Sequence, residues 1–368
     1  MYILRIIDPF FPGGGAQKYV LQLSEASKKY GITTILITNI KHQNSDYSKK
    51  LIDNNIEVIY VDFSYNPLKI HTQVKEIKNK LKSKKIFFIA SHLRKADILG
   101  YVLSRKLKIK QVITLHGHIS SLNFNNGFSY KEKLLSFVHR YIINSSFGVI
   151  ANSKYTLDIN NKLYSVSNKN SIVIYNGIEK LANLNTFKKE DSFIITQIGI
   201  GIGVKNSDIL IEYFKQLNLK YPNLELRLVG NAGSERNFQE LKTICKEHNN
   251  IKLIEHTDDI GSLISTSNAV VVFATQEGFG RTIIESFQMN TSVIAWNEGA
   301  PTELISHQKD GFLIKNYQEF EQAIKTIKED KQMISELTNK AQKKYKDNFS
   351  LNIFEENIFG QYKKWRLI

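Results

Sequence analysis

Short apolar runs that alternate with helix-patterned stretches along the whole chain are the feature that most limits how this sequence can fold. In the first half the runs fall at 2–7, 33–38, 57–61, 86–90, 111–115, 148–151 and 172–175. Between them lie helical patterns such as 16–29, with Val20, Leu21 and Leu23 on one stripe, and 67–82. Strands joined through helices must run parallel, with helices covering both faces, so the pattern dictates an α/β sheet. Ligands of such sheets bind beyond the carboxyl ends of the strands, which directs attention to the residues after each run.

The second half repeats the series, with runs at 193–198, 225–229, 251–255, 268–275 and 292–296. A chain of 368 residues is long enough for two cores, and two similar α/β domains in tandem are expected, at about 1–180 and 190–350. Residues 179–191 lack apolar periodicity and read as the linker. Residues 315–346 are charged and helical, and the closing segment 351–368 carries Phe354, Phe359, Tyr362 and Trp365, the mark of a packed helix.

Composition narrows the function. The single cysteine, Cys245, excludes an internal disulfide framework and a cysteine zinc cluster, which points to a reducing, cytoplasmic compartment. No run approaches the roughly 18 apolar residues of a membrane span. Residues 1–9 lack a basic leader and a small-residue cleavage site, and read as a first strand. The net charge of +15 is one-sided: residues 1–185 hold 27 Lys and Arg against 11 Asp and Glu, and the remainder hold 23 against 24. A basic half suggests an anionic partner, either a membrane surface or a phosphorylated substrate, the plain alternative being a lysine-rich surface that only solubilises. Nucleic acid is not expected, since no stacking aromatics or recognition helix accompany the charge.

The most informative turn follows the run 268–275. Glu277-Gly278-Phe279-Gly280-Arg281-Thr282-Ile283-Ile284-Glu285 passes from a buried strand through a glycine turn into a helix. Such a turn aims backbone N–H groups and the positive end of a helix dipole at one place, which suits a phosphate. Glu277 and Glu285 frame it and suit sugar hydroxyls, the plain alternative being a solvated loop acid and a surface helix acid. Other strand ends carry weaker signals. Pro12-Gly13-Gly14-Gly15-Ala16 allows close backbone approach but lacks the spacing of a dinucleotide fingerprint. His116-Gly117-His118 precedes a polar loop at 120–129. A glycine-punctuated loop from Gly199 to Asn206 contains Lys205, a point charge for a diphosphate, with Ser207 expected to cap the next helix. Asp258-Asp259 reads as a helix cap. The segment 130–141 mixes Leu134, Leu135, Phe137 and Val138 with Lys131, Lys133 and Arg140. It suits either a membrane surface or, on base rates, an ordinary helix with its apolar face in the core.

The order of these parts resembles family 4 of the retaining glycosyltransferases over nearly the whole chain. The resemblance rests on the E-x7-E pair Glu277 and Glu285, the PGGGAQKYV start, the HGH turn, VIYNGI before the linker, LRLVGNAG, VIAWNEGAPTELI and DGFLI. It implies the GT-B fold: two Rossmann-like domains facing across a cleft, with the helix 351–368 returning to the N-terminal domain. The C-terminal domain is then expected to bind a nucleotide sugar (UDP- or GDP-linked) and the N-terminal domain an acceptor. Glu285 would hold the ribose hydroxyls and Glu277 would lie near the donor sugar. Backbone groups of Gly199, Gly278, Phe279, Gly280 and Thr282 would meet the sugar and diphosphate, with Gly14 and Gly15 approaching from the other domain. His116, or secondarily His118, takes the place of the acceptor-domain histidine. The family's diphosphate loop pairs an arginine with a lysine; Lys205 matches the lysine, but Ile200 stands where the arginine belongs and Asn206 where a glycine does. Arg281 is the compensating cation nearest in sequence.

The expectation is a retaining, metal-independent glycosyltransferase acting on a glycan or lipid-linked acceptor in bacterial surface polysaccharide synthesis. It needs no cofactor and is cytoplasmic, peripheral on the inner face of the membrane. A nucleotide-sugar epimerase or hydrolase of the same fold, or a non-catalytic partner that binds glycan or nucleotide sugar, are the alternatives.

Overall fold

Among the described residues, seven parallel strands form the first sheet: β1 (Tyr2–Ile7), β2 (Thr33–Asn39), β3 (Glu57–Val61), β4 (Ile86–His92), β5 (Lys110–Leu115), β6 (Gly148–Ala151) and β7 (Ser171–Val173). Their order is β3-β2-β1-β4-β5-β6-β7, so the strand order reverses between β1 and β4. In this computed structural model, residues 1–10, 14–43, 49, 51, 54–118, 130–182, 192–231 and 234–368 are described. Pro12, Gly13, the polar loop 120–129, linker residues 183–191 and residues 232–233 lie outside them. The central strand β1 is apolar on both faces, with Ile3, Leu4, Ile6 and Ile7 fully buried, as a parallel sheet sandwiched between helices requires. Those helices are α1 (Gly15–Ala26), α2 (Pro67–Lys80), α3 (Arg94–Leu107), α4 (Tyr130–Ser145) and α5 (Lys154–Tyr164).

The second sheet has strands β8 (Phe193–Ile198), β9 (Leu224–Val229), β10 (Ile251–Ile254), β11 (Ala269–Val272), β12 (Ser292–Trp296) and β13 (Phe312–Ile314). Its order, β10-β9-β8-β11-β12-β13, again reverses beside its first strand. Its helices are α6 (Ser207–Lys220), α7 (Glu235–Lys246), α8 (Ile260–Ser265), α9 (Arg281–Gln288), α10 (Pro301–Leu304), α11 (Tyr317–Glu329) and α12 (Lys331–Asn348). Asp259 does cap α8, accepting the Ser262 N–H at 3.2 Å.

The chain forms two units, Met1–Asn176 with Phe354–Ile368, and Gly177–Ile353. The last helix, α13 (Leu351–Lys364), therefore packs in the first unit from Phe354 onward. Phe354 lies 5.2 Å from the Tyr19 ring, Phe359 stacks on Tyr30 at 4.0 Å and Tyr362 meets Phe88 at 4.8 Å. Trp365 covers Gly148 so closely that a Cβ there would fall 2.9 Å from the indole.

The structure refines the sequence reading in two places and overturns it in a third. The charged stretch 315–346 is two helices, broken at Asp330, whose carboxylate accepts the Met333 N–H at 2.9 Å and starts α12. The three-residue β13 has too few side chains for a periodicity to register. The expectation that α4 turns its apolar face to the core fails. His139, Ile142 and Ile143 are buried, but Leu134, Phe137 and Val138 are exposed.

Candidate functional site

The loop after β8 begins at Gly199, whose φ of +81° lies in the left-handed region where a side chain is strained. Ile200 then turns inward and is 5% exposed, packed in the apolar core of the second unit. Ser207 does not cap α6. It is the helix's first residue, and its Oγ accepts the Gly201 N–H at 3.0 Å, bracing the loop instead. Three further bonds tie the loop to neighbouring strand ends. Asn206 Nδ2 donates to the Phe273 carbonyl at 2.8 Å, the Thr275 N–H donates to Val204 at 3.2 Å, and Gln197 Nε2 donates to Lys205 at 2.9 Å. Asn206 needs its left-handed φ of +52° to do this, a conformation asparagine tolerates. The consequence is a fixed place for Lys205, whose Nζ lies 2.9 Å from Glu277 Oε2.

Glu277 uses its other oxygen, Oε1, to accept the Gly280 N–H at 3.1 Å. Burial pushes its pKa up, but the Lys205 charge and hydrogen bonds from Lys205, Gly280 and Phe279 outweigh that and hold the carboxyl below its ordinary value. Gly280 starts α9 at φ +86°, and a Cβ there would sit 2.9 Å from Ile283 Cδ1. From the first residue of α9, Arg281 Nε donates to Oε1 of Glu285, one turn on, at 2.9 Å. Glu285 is not a surface acid: it is 4% exposed. Arg281 Nη2 is buried without a hydrogen bond, 3.8 Å from Glu179. Phe279 is buried, and its ring meets that of Phe349 at 6.3 Å.

Two pairs thus form around one turn, Lys205 with Glu277 and Arg281 with Glu285, and the Gly280 amide ties Glu277 to the start of α9. Gly199 lies in the loop after β8, Gly278 in the turn after β11 and Thr282 in the first turn of α9. Gly14, Gly15 and His116 belong to the first unit. There Gly14 precedes α1, and a Cβ on it would collide with Gln17, whose Nε2 donates to the Pro9 carbonyl at 2.7 Å. Gly15 has open space around it.

His116, just after β5, lies with Nε2 3.1 Å from His92 Nδ1 and edge-on to Tyr19 at 5.0 Å. Burial lowers its pKa to about 4. His92 is likewise held well below its ordinary value, by burial first and then by the charges of His116 and Arg5. Both imidazoles are therefore neutral at physiological pH. The turn is held by Asn152 Nδ2 on the His116 carbonyl at 3.2 Å and Asn160 Nδ2 on Gly117 at 2.9 Å, while His118 Nε2 lies 3.1 Å from the Tyr155 hydroxyl. Sequence reading missed His92. The β4 run continues two residues past Ala90 and ends in a histidine at the switch point, paired in register with Ile7 of β1. A histidine closing an apolar run was the available signal. Glu179 was missed because the sequence reading makes it the first residue of the linker. Among the described residues no group of His, Cys, Asp or Glu is arranged to hold a metal ion.

Two sheets whose strand order reverses beside their first strand define a tandem Rossmann-like α/β protein, a class whose ligands seat beyond the carboxyl ends of the strands. Two family profiles match in succession, Glycosyltransferase Family 4 over residues 13–180 and Glycosyl transferases group 1 over residues 182–344. The chain belongs to the family 4 glycosyltransferases of GT-B fold. It is 23% identical over 199 residues to an uncharacterized glycosyltransferase of Haemophilus influenzae, covering 53% of this chain and 54% of that one. It is 25% identical over 175 residues to the capsular polysaccharide biosynthesis glycosyltransferase CapM of Staphylococcus aureus, covering 47% and 46%. The matched stretches thus span about half the length of these relatives. The crystal structure of Anabaena HepE in complex with UDP-glucose superposes with a TM-score of 0.84 at 21% identity, over 99% of this chain and 100% of that one.

Proposed function

We propose that this protein is a retaining, metal-independent glycosyltransferase that moves a sugar from a UDP- or GDP-sugar to a glycan or lipid-linked acceptor in surface polysaccharide synthesis. The carrying observation is the pairing at the strand ends of the second unit. Lys205 is held by Glu277 beside the start of α9, and Arg281 sits on the buried Glu285 within the same turn. UDP-glucose in the HepE crystal supports a UDP-sugar donor, and the capsular role in CapM's name supports a surface glycan product.

In this reading the leaving nucleoside diphosphate gains negative charge that Lys205, the backbone amides of Arg281 and Thr282 at the start of α9 and the Arg281 guanidinium stabilise. Glu285 accepts hydrogen bonds from the ribose hydroxyls, and Glu277 lies near the sugar. The acceptor hydroxyl attacks on the face the phosphate oxygen leaves, and that oxygen takes its proton, so no protein base is needed. His116, neutral at working pH, contributes a hydrogen-bonding group rather than a charge. The basic N-terminal half faces an anionic membrane on its cytoplasmic side.

The test is transfer from a labelled UDP- or GDP-sugar with EDTA present, the product's anomeric configuration being read by NMR. Retention is expected; inversion would sink the mechanism, and loss of turnover on chelation would sink the metal-independent claim. A second reading, a non-catalytic nucleotide-sugar binder, has one observation in its favour: the buried Ile200 puts no charge where the family carries an arginine. Normal donor affinity with no transfer across an acceptor panel would favour it.

A further inference from the structure

We propose that the outer face of α4 is a membrane-docking surface that lies in the headgroup layer of an anionic bilayer. This rests on the reading of the basic half as membrane-facing and assigns that role to one helix. Tyr130, Leu134, Phe137, Val138 and Tyr141 are 86%, 54%, 57%, 36% and 57% exposed, and they recur at i, i+4, i+7, i+8 and i+11. That spacing places all five on a single stripe. The core does not use it, because the opposite face already anchors the helix. There His139 Nε2 lies 2.8 Å from Asp97 Oδ2, with Ile142 and Ile143 buried beside it. Leu163 of α5, 42% exposed, extends the apolar surface sideways.

The charges around the stripe select lipid over protein. Along the stripe's edge, Lys133 and Arg140 line a hollow of about 230 Å³ with Ser136, Phe137, Leu163 and Tyr164. The Arg140 guanidinium lies over the Phe137 ring at 5.0 Å. A cation on an apolar stem at the rim of an apolar stripe can keep its charge at the phosphate level while its stem and the stripe enter the acyl boundary. The sequence from 98 to 157 carries eight Lys and Arg and one acid, Glu132. That acid is spent on Arg94 at 2.9 Å. A protein partner would call for carboxylates or hydroxyls matched to particular positions, whereas Lys133 and Arg140 at the stripe's edge, in a segment so poor in acids, fit a laterally uniform anionic surface.

The experiment is co-sedimentation of the full chain with phosphatidylcholine vesicles, with and without phosphatidylglycerol, in parallel with calorimetric binding of UDP and GDP. Wild type is expected to bind the anionic vesicles and to release as salt rises. The double variant Leu134→Gln/Phe137→Gln should lose about a hundredfold in partitioning, about tenfold for each apolar side chain removed from the acyl boundary. Its nucleotide affinity and circular dichroism should stay unchanged, since both side chains are exposed. Unaltered vesicle binding by the variant would overturn the α4 surface while leaving the basic-half reading standing. Wild type failing to bind any vesicle would overturn both, and the calorimetry would report separately on the donor reading. A shift from dimer to monomer in the variant, without vesicle binding by wild type, would make the stripe a protein interface and overturn the inference.

Discussion

Replacing Arg281 by alanine separates two roles that one guanidinium could play. Its Nε holds Glu285 at 2.9 Å, and its Nη2 is buried with no hydrogen bond. If the unbonded edge meets the diphosphate, its loss removes a charge-assisted hydrogen bond of about 1.5–3 kcal/mol, which is roughly a ten- to hundredfold weaker Kd. If Arg281 serves only to hold Glu285, the affinity loss comes entirely through that carboxylate. A double-mutant cycle with Glu285→Gln distinguishes the two. Stability changes alongside. Arg281→Ala alone leaves a buried carboxylate bare, at a cost of about 3 kcal/mol, which lowers the melting temperature of a unit this size by roughly 6–12 °C. Arg281→Ala/Glu285→Gln removes the stranded charge and should recover most of that loss. Affinity is read by titration calorimetry with UDP and GDP, below the melting range of every variant. The expectation is that Arg281→Ala weakens nucleotide binding about as much in the Glu285→Gln background as in wild type. No further loss in that background would refute a direct role for Arg281.

Three other outcomes follow from the geometry. Glu277→Gln should cost the second unit about 1 kcal/mol at neutral pH, the worth of a partly exposed pair. Because the Glu277 carboxyl is held below its ordinary pKa, the pair's contribution is present above that value and disappears as pH falls through the lowered one, so wild type and variant should converge in acid. Urea titrations at several pH values would measure this. Gly280→Ala should destabilise by about 1–2 kcal/mol for the left-handed backbone alone, and by more where the new Cβ presses on Ile283, with thermal melting as the readout. In the first unit, His116 titrates at about 4 rather than 6.5, so the unfolded chain binds the extra proton first. Stability of that unit should therefore fall as pH drops from about 6.5 towards 4, and His116→Phe should reduce the slope, leaving the share of the buried His92; a slope unchanged by the substitution would assign the acid lability elsewhere.

Much of the architecture is legible in the sequence because a parallel sheet buried on both faces writes itself as continuous apolar runs. Tyr2–Ile7, Gly148–Ala151, Phe193–Ile198 and Ser292–Trp296 begin and end where the runs do. The runs cannot report how a side chain is used once the backbone is placed. Ser207 had the look of a cap and instead braces the loop, because Asn206 in front of it adopts the left-handed conformation. The apolar residues of α4 gave the right helix and the wrong orientation, since periodicity marks a stripe without saying which side the protein covers. At the candidate site, spacing identified Glu277 and Glu285 but not their partners. Lys205 reaches Glu277 only through hydrogen bonds that span the ends of β8 and β11, and His92 becomes visible beside His116 only once β4 and β5 are adjacent.

The closing turns of α13 give the chain an order of assembly during synthesis. Most of the first unit leaves the ribosome early, but Phe354, Phe359, Tyr362 and Trp365, which cover Tyr19, Tyr30, Phe88 and Gly148, are made only after the whole second unit. At roughly 5–20 residues per second, that wait is on the order of ten seconds or more. Throughout it the nascent first sheet has an uncovered aromatic seam, so the domain begun first is the one completed last, with a seam open to chaperones for as long as translation of the second unit continues.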